Sequence, residues 1–322
     1  MIIVEKFGGT SLSGVPEVRR AASLIARAAR EGNRVAAVLS AQGGTTDELL
    51  RTAVEYNPNP SARELDMLLS TGEQASVALM AMTLEDMGLP VVSLTGWQAG
   101  LGTDGAHGNA RLRRLAPTRI RGELEEGRIV LIAGFQGLSP RGDITTLGRG
   151  GSDTTAVAVA AALRADECRI YTDVEGVFTA DPRLVPSARR LPEVDSQEMH
   201  VLASMGARVL HERAAELASR FSVPVSIRST FSESPGTAIR PLPLGEEEWR
   251  LTAVAESGGL LSLVGGNLHL RPELGETAKA ALETEGIHLR SYLQTPRRFT
   301  GELTDSDRRV DALRCLHKAF FE

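Results

Sequence analysis

Short apolar runs alternate with longer segments of helical periodicity along the first two thirds of the chain. The apolar runs predict β-strands at 34–39, 90–94, 128–133, 168–172 and 224–227. The periodic segments predict helices at 16–31, 62–87, 152–164 and 205–221. Because strands that alternate with helices pair in parallel, we expect an α/β fold with a mostly parallel sheet sandwiched by helices.

The pattern changes after residue 240. Residues 241–249 mix proline, glycine and acidic side chains without apolar periodicity, which predicts a linker. Beyond the linker we expect strands at 251–255 and 260–264, a helix at 272–286, strands at 287–294 and 298–303, and a helix at 307–321. The sequence therefore predicts a large domain over 1–240 and a small α+β domain over 250–322.

Composition and charge exclude several classes of partner. The 322 residues are 42% hydrophobic and 24% charged, as in soluble globular proteins. The net charge of -5 and the lack of a dense Lys/Arg block argue against nucleic acid as a partner. No apolar stretch approaches the roughly 20 residues that cross a bilayer, and the N-terminus lacks a signal-peptide pattern. We therefore expect a cytoplasmic protein without a membrane partner.

A glycine-rich turn precedes the predicted helix 152–164. Residues 145–155 read Thr-Thr-Leu-Gly-Arg-Gly-Gly-Ser-Asp-Thr-Thr, and Ser152 is a good N-cap. Backbone N–H groups at a helix start point at an anion, so this turn predicts a site for phosphate or carboxylate. The chain lacks the P-loop pattern and the complete dinucleotide fingerprint. A tight strand-to-helix turn without a ligand is the alternative.

Two other strand ends carry similar chemistry. The opening strand runs into Lys-Phe-Gly-Gly-Thr-Ser at 6–11, and the strand 168–172 runs into small, polar and acidic residues at 173–183. Ligands of open α/β sheets bind at the carboxyl ends of the strands. All three glycine-rich or acidic segments are therefore expected at one edge of the sheet.

An ordered series of motifs extends from residue 2 to about residue 240. It comprises the segment 6–11, Ser-Ala-Gln-Gly-Gly-Thr-Thr-Asp at 40–47, Thr-Gly-Glu at 71–73, Gly-Phe-Gln-Gly at 134–137, the turn 146–153 and Tyr-Thr-Asp at 171–173. In this order the motifs resemble those of the aspartokinases, which have the amino acid kinase fold. Agreement by chance is far less probable for an ordered series than for one motif.

The resemblance implies ATP-dependent phosphorylation of the β-carboxylate of L-aspartate, as in lysine and threonine biosynthesis. A carboxylate with a reference pKa of about 3.9 is already ionised at neutral pH, so no general base has to create the nucleophile. Catalysis then depends on positioning and charge stabilisation. ATP and Mg²⁺ are the expected cofactors, with the ion held by phosphate and water and with no metal-binding residues in the protein.

The resemblance also assigns roles to residues. Lys6, Asp153 and Arg208 are the implied catalytic residues, although the family has lysine where this chain has Arg208. A solvated lysine and a surface arginine are the alternatives for Lys6 and Arg208. The implied substrate-binding residues are Thr46, Glu73, Phe135, Arg149 and Ser152. The implied nucleotide-binding residues are Lys6, Gly8, Gly9, Ser11, Thr172, Asp173, Phe178, Arg183 and Arg208.

Residue chemistry supports some of these roles and leaves others open. Arg149 can grip the α-carboxylate of aspartate with its planar fork, and Glu73 can accept from the α-ammonium group. Without the motif, Glu73 reads as an exposed helix acid and Asp173 as a turn cap. His107 lies in a polar loop, where a structural or substrate-adjacent role is favoured over metal binding.

The tail resembles one regulatory ACT module, whereas aspartokinases usually carry two, one inserted in the other. The usual Asp-x-Pro-Gly effector turn is absent, and Leu270-Arg271-Pro272-Glu273 stands nearest to it. We therefore expect weak or no feedback by lysine or threonine. A lone small sheet covers its apolar surface incompletely, so we expect a homodimer that pairs two tails.

Two other functions remain open at this stage. A sister kinase acting on glutamate, acetylglutamate or another small acid would share the phosphate-binding residues. A catalytically weak subunit that senses an amino acid through its tail would account for Arg208 and the short tail. The presence of Lys6, Asp153 and Asp173 argues against the second alternative.

Overall fold

The computed structural model describes residues 1–207 and 209–322. The strands are β1 (Ile2–Phe7), β2 (Arg34–Leu39), β3 (Val91–Leu94), β4 (Leu101–Thr103), β5 (Leu112–Leu115), β6 (Ile129–Ala133), β7 (Gln136–Leu138), β8 (Ile144–Thr146), β9 (Glu167–Thr172), β10 (Glu193–Asp195), β11 (Val225–Ser229), β12 (Thr237–Arg240), β13 (Arg250–Ser257), β14 (Leu260–Gly266), β15 (Leu289–Gln294) and β16 (Arg298–Leu303). The helices are α1 (Val15–Arg30), α2 (Thr45–Tyr56), α3 (Ala62–Asp86), α4 (Thr118–Glu125), α5 (Gly151–Leu163), α6 (Ser196–Ser204), α7 (Glu212–Arg220), α8 (Leu274–Thr284) and α9 (Arg309–Phe321).

The chain divides into two compact units whose segments alternate. The first unit comprises Met1–Val174 and Val223–Pro235, and the second comprises Glu175–Ser222 and Gly236–Glu322. This division reflects packing alone. The division at 240 and 250 that the sequence predicts, with 241–249 as a linker, stays a prediction about functional domains.

Six sheet strands in the order β11-β9-β1-β2-β6-β3 form the centre of the first unit, and every neighbouring pair among them is parallel. Lys6 of β1 aligns with Val38 of β2 and with Ile170 of β9. The predicted α/β fold with a mostly parallel sheet is confirmed. The carboxyl ends of these strands meet at one edge, where the loops that carry the predicted site begin.

Helices cover both faces of this sheet. Phe7, Leu39 and Leu131 share a buried core with α1 and α3 on one face. The small residues of α5 pack closely on β1, β2 and β9, and α4 packs on β2 and β6. Because successive side chains of a strand point to opposite faces, these strands are apolar on both sides. The sheet therefore has rigid support on both faces beneath its carboxyl edge.

A smaller sheet in the order β5-β4-β7-β8 belongs to the same unit and is missing from the sequence prediction. Its strands have three or four residues each, too few for a period of two to be recognised. The N–H of Ala110 donates to the Thr146 carbonyl at 2.8 Å, which ties the loop after β4 to the end of β8. This sheet supports the glycine-rich turn that follows β8.

The second unit contains an antiparallel sheet in the order β13-β14-β16-β15, together with the parallel pair β10 and β12. Helices α8 and α9 share a buried core with this sheet that includes Leu263, Phe299 and Leu316. Starting at β14, the elements follow the order β-α-β-β-α, and β13 takes the place of the final strand. This is a permuted ferredoxin-like arrangement. All six predicted elements of the tail are present, with boundaries shifted by zero to two residues.

The helix predicted at 205–221 is confirmed over its second part, where α7 runs from Glu212 to Arg220, but its predicted start is wrong. Helix α6 ends at Ser204, just before the predicted segment, and Gly206 adopts a φ of 95° soon after it. His211 is the N-cap of α7, and its side chain accepts from the Arg213 N–H at 3.4 Å. A left-handed glycine followed by a capping side chain ends one helix and begins another. Arg208 lies between them, outside the described residues.

Candidate active site

Lys6 and Asp153 form an ion pair at the carboxyl edge of the sheet. The Lys6 Nζ lies 2.7 Å from the Asp153 Oδ1, and the side chains are only 12% and 14% exposed. Lys6 comes from the end of β1, and Asp153 comes from the first turn of α5. A Cβ atom at Gly8 would lie 3.1 Å from the Lys6 Nζ, so this glycine leaves room for the ammonium group. The pair holds a positive charge at a defined position.

The glycine-rich turn places the start of α5 beside this pair. Gly148 and Gly150 adopt φ values of 74° and 66°, which L side chains rarely adopt. The sequence predicts Ser152 as the N-cap, but this is wrong because the helix begins at Gly151 with Gly150 as its N-cap. No side chain caps this N-terminus. The Gly151 N–H donates to the Gly148 carbonyl at 3.0 Å, and the following N–H groups of the first turn are the ones that an anion can use. This is the geometry that binds an anionic oxygen.

Phe135 has a left-handed backbone with a φ of 68°. Its N–H donates to the Thr155 Oγ1 at 3.2 Å, and its carbonyl accepts from the Leu147 N–H at 2.8 Å. A Cβ atom at Gly134 would lie 2.7 Å from the Ser152 Oγ. The loop after β6 therefore runs directly against the first turn of α5, and hydrogen bonds offset the strain at Phe135. Two predicted substrate-binding residues, Phe135 and Ser152, are brought together here.

Glu73 is buried on α3, so the alternative of an exposed helix acid is wrong. Its Oε1 accepts from the Ala41 N–H at 3.0 Å, and its Oε2 is buried without a hydrogen-bond partner among the described residues. Burial raises the pKa of the Glu73 carboxyl to about 7. A buried carboxylate oxygen without a donor suits an ammonium group, which supplies both charge and hydrogen bonds.

Glycines connect the Glu73 carboxylate to the Lys6 segment. A Cβ atom at Gly72 would lie 2.9 Å from the Ala41 Cβ, and one at Gly9 would lie 3.1 Å from the Ala41 carbonyl oxygen. The loop after β2 is therefore in close contact with both α3 and the loop after β1. A substituted Gly9 or Gly72 would separate these elements. The Glu73 carboxylate and the Lys6–Asp153 pair thus belong to one continuous edge.

Asp66 is a site residue that sequence reasoning missed. It is fully buried and accepts from the His107 Nδ1 at 2.8 Å, from the Gly108 N–H at 3.0 Å and from the Thr146 Oγ1 at 2.5 Å. A Cβ atom at Gly148 would lie 2.9 Å from the Asn109 Oδ1. Asp66 therefore fixes the loop beside the glycine-rich turn. It lies two helical turns before Glu73 on the same face of α3, which is the signal that could have identified it.

The remaining predicted residues lie on several loops and element ends. Thr46 lies in the first turn of α2, and Arg149 is exposed between Gly148 and Gly150. Ser11 is buried and its Oγ lies 2.7 Å from the Thr230 Oγ1, while the Thr172 Oγ1 donates to the Asp173 Oδ1 at 3.0 Å at the end of β9. Phe178 and Arg183 belong to the second unit, where Arg183 pairs with Asp181 at 2.6 Å. Arg208 lies outside the described residues.

Over residues 1–207 and 209–322, no three side chains of His, Cys, Asp or Glu are grouped so that they could hold a metal ion. In the same ranges, every helix is too short or too polar to cross a membrane.

Comparison with known proteins identifies relatives of this chain. The family model described as the amino acid kinase family matches residues 1–229. The chain is 54% identical over 239 residues to the aspartokinase of Geobacillus stearothermophilus, which covers 74% of this chain and 59% of that protein. It is 44% identical over 333 residues to the aspartokinase of Corynebacterium glutamicum, which covers 98% of this chain and 78% of that protein. The chain thus spans about three fifths of the first relative and more of the second.

Solved structures agree with the fold. The aspartate kinase from Synechocystis superposes with a TM-score of 0.69 at 30% identity, over 99% of this chain and 69% of that chain. E. coli aspartokinase III in complex with aspartate and ADP superposes with a TM-score of 0.85 at 22% identity, over 100% of both chains. At that identity the second likeness concerns the fold alone.

Proposed function

Because this chain belongs to the amino acid kinase family and its relatives are aspartokinases, we propose that it transfers the γ-phosphoryl group of ATP to the β-carboxylate of L-aspartate. The products are 4-phospho-L-aspartate and ADP. The observation that carries the proposal is the Lys6–Asp153 ion pair, at 2.7 Å, on the same sheet edge as the Glu73 carboxylate with its unpartnered Oε2. One cationic group and one anionic group are thus held ready for a phosphoryl group and an ammonium group.

In the proposed reaction, an oxygen of the β-carboxylate attacks the γ-phosphorus and the bond from that phosphorus to the bridging oxygen of ADP breaks. Lys6 stabilises the negative charge that moves between these oxygens, and Asp153 keeps the Lys6 ammonium in place. The N–H groups at the start of α5 add a second source of positive potential. No proton has to be removed from the nucleophile.

The other end of aspartate requires two contacts. Arg149, exposed between two left-handed glycines, is assigned to the α-carboxylate, and Glu73 is assigned to the α-ammonium. Thr46, Phe135 and Ser152 complete the proposed substrate side. Gly8, Gly9, Ser11, Thr172, Asp173, Phe178 and Arg183 are assigned to ATP, together with Lys6 and Arg208.

Magnesium is part of this proposal. Mg²⁺ would be bound together with ATP and held mainly by phosphate oxygens and water. Its chemistry there is to neutralise phosphate charge. A cytoplasmic location stays a prediction.

A panel of acceptors tests the substrate. The protein is assayed with ATP and Mg²⁺ against aspartate, glutamate and acetylglutamate, with ADP release coupled to a dehydrogenase and acyl phosphate trapped by hydroxylamine. We expect turnover with aspartate alone. Preference for another acid would identify a sister kinase, and binding of ATP without turnover of any acid would identify the sensing subunit.

We assign the β13–β16 domain as a single ACT-like module that pairs in a homodimer. Strand β15 is an outer edge of its sheet, and Tyr292 and Leu293 on it are exposed. An exposed apolar edge strand readily pairs with another strand. Light scattering of Leu293→Lys should show a monomer if β15 forms the dimer contact, whereas the matched variant Leu260→Lys should remain dimeric.

We also propose that lysine and threonine inhibit this enzyme weakly or not at all. The turn at 270–273 carries Arg271, which pairs with Glu273 and stacks on Trp249 at 4.3 Å. An amino-acid effector could not come close to the backbone of this charged turn. Millimolar lysine or threonine should leave the activity unchanged, and sigmoidal inhibition by either would contradict this.

A further inference from the structure

A segment that carries two predicted nucleotide-binding residues is built into the core of the second unit. The segment Val177–Leu191 closes on itself, because the Leu191 N–H donates to the Val177 carbonyl at 2.8 Å. It carries Phe178, which is half-buried, and Arg183, which is exposed. Its Ala180 and Val185 are buried in the core that also contains Leu313 and Leu316 of α9. The packing of this segment therefore depends on the C-terminal helix.

Polar contacts reinforce this packing. The Val254 N–H of β13 donates to the Thr179 carbonyl at 2.8 Å. From α9, the Arg314 Nε donates to the Leu184 carbonyl at 2.7 Å. These contacts hold the segment near its start and at its middle. A segment held in this way presents its other side chains in one orientation.

A buried hydrogen bond between side chains stands out among these contacts. His317 of α9 is fully buried, and its Nε2 lies 2.9 Å from the Thr179 Oγ1. The same Oγ1 accepts from the Arg189 N–H at 3.0 Å, which closes the segment from within. The hydroxyl donates to the His317 Nε2 when the imidazole proton is on Nδ1, and it accepts from Nε2 in the other tautomer. Thr179 thus connects both ends of the segment to α9.

We propose that His317 is a positioning residue for ATP, acting through Thr179 on Phe178 and Arg183. Phe178 is the direct neighbour of Thr179, so a displaced Thr179 displaces the residue next to it. This inference rests on the proposed function only for its assignment of Phe178 and Arg183 to the nucleotide. It makes α9 part of the nucleotide-binding machinery in addition to its place in the tail.

The test compares ATP with aspartate. His317→Leu removes the buried Nε2 partner of the Thr179 hydroxyl, which then keeps only its bond from the Arg189 N–H. We expect the dissociation constant of ATP, measured by calorimetry without aspartate, to rise about tenfold, while the KM for aspartate stays within about twofold. Thr179→Val should give the same change, and the double variant should be no worse than either single variant.

Conservative and matched variants separate positioning from general damage. His317→Gln can accept from the hydroxyl and should recover most of the ATP affinity, as should Thr179→Ser. Ser262→Ala is the control, because it removes a buried hydroxyl pair in the same unit, 3.0 Å from the Thr300 Oγ1, away from the segment. It should lower the melting temperature without changing the affinity for ATP.

Three outcomes would overturn the inference. They are an unchanged ATP affinity in folded His317→Leu, an equal loss of affinity in Ser262→Ala, or a parallel rise in the KM for aspartate. Because ATP binding is measured without an acceptor, a failure of the aspartate assay would affect the proposed function and leave this result interpretable.

Discussion

Two buried glutamates in the first unit have the same altered acidity and opposite surroundings. Burial raises the pKa of Glu73 to about 7 at the carboxyl edge of the sheet, and it raises the pKa of Glu5 to about 7 in the middle of β1. Glu5 faces the Arg169 guanidinium, whose Nη1 lies 3.3 Å from the Glu5 Oε1, with Arg228 and Glu167 nearby. Among the described residues, no charged side chain lowers the pKa of Glu73, and the donors that do so are neutral backbone N–H groups such as that of Ala41.

The difference shows that a raised pKa does not by itself identify a functional group. Glu5 lies between neighbouring strands, where a substrate has no access, and its counter-charge is part of the protein. Glu73 lies where loops converge, so its counter-charge has to come from a ligand. Position at the carboxyl edge distinguishes the two glutamates, and substitutions of residues at and away from this edge should differ in their effect on activity.

The largest effect is expected for Lys6, the cation that the edge supplies for the phosphoryl group. Lys6→Met removes a charge whose contribution grows as the phosphoryl group moves, so kcat should fall at least about a hundredfold, or about 2.7 kcal/mol. The KM for aspartate should change less than about threefold, as steady-state kinetics would show. A kcat loss below about tenfold would remove Lys6 from this role.

An intermediate effect is expected for Glu73. The carboxylate form binds the aspartate ammonium, and the pKa of about 7 means that half of the free enzyme is protonated at neutral pH. The kcat/KM for aspartate should therefore rise as pH increases towards 7 and level off above it. Glu73→Gln should raise the KM about ten- to hundredfold and remove this rise. A wild-type profile that is flat between pH 6 and 8 would contradict the assignment.

The smallest effect on activity is expected for Glu5. Its folded pKa lies above the reference value of 4.5, so the native state holds the proton more tightly and the free energy of unfolding falls as pH rises from about 4.5 to 7. Glu5→Gln removes this loss, which is at most about 3 kcal/mol. Denaturation at pH 5 and pH 8 should show the variant gaining stability relative to wild type at the higher pH. Its kcat should be unchanged, and a large loss of kcat would erase the contrast with Glu73.

Much of the fold follows from local sequence. The long strands and helices of the first unit are apolar on the faces that they bury, and their boundaries are predicted within about two residues. The six tail elements are predicted for the same reason. Predictions failed where the signal is short or depends on a turn, as in the small sheet and at Gly206.

The site was less accessible to sequence reasoning. The loops at the sheet edge were predicted from glycine, lysine and acidic residues at strand ends, and Lys6 and Asp153 do meet. The burial of Glu73 and the role of Asp66 depend on how α3 packs against loops distant in sequence. The attachment of the segment Val177–Leu191 to α9 is also a long-range contact, which no local sequence pattern predicts.

That attachment imposes an order on folding during synthesis. Thr179 and His317 are 138 positions apart, so Ala180 and Val185 leave the ribosome well before the helix that buries them. At the usual 5 to 20 residues per second, the interval is roughly 7 to 28 seconds. The nascent chain exposes an apolar segment throughout this interval, and that segment is where we expect chaperones to bind.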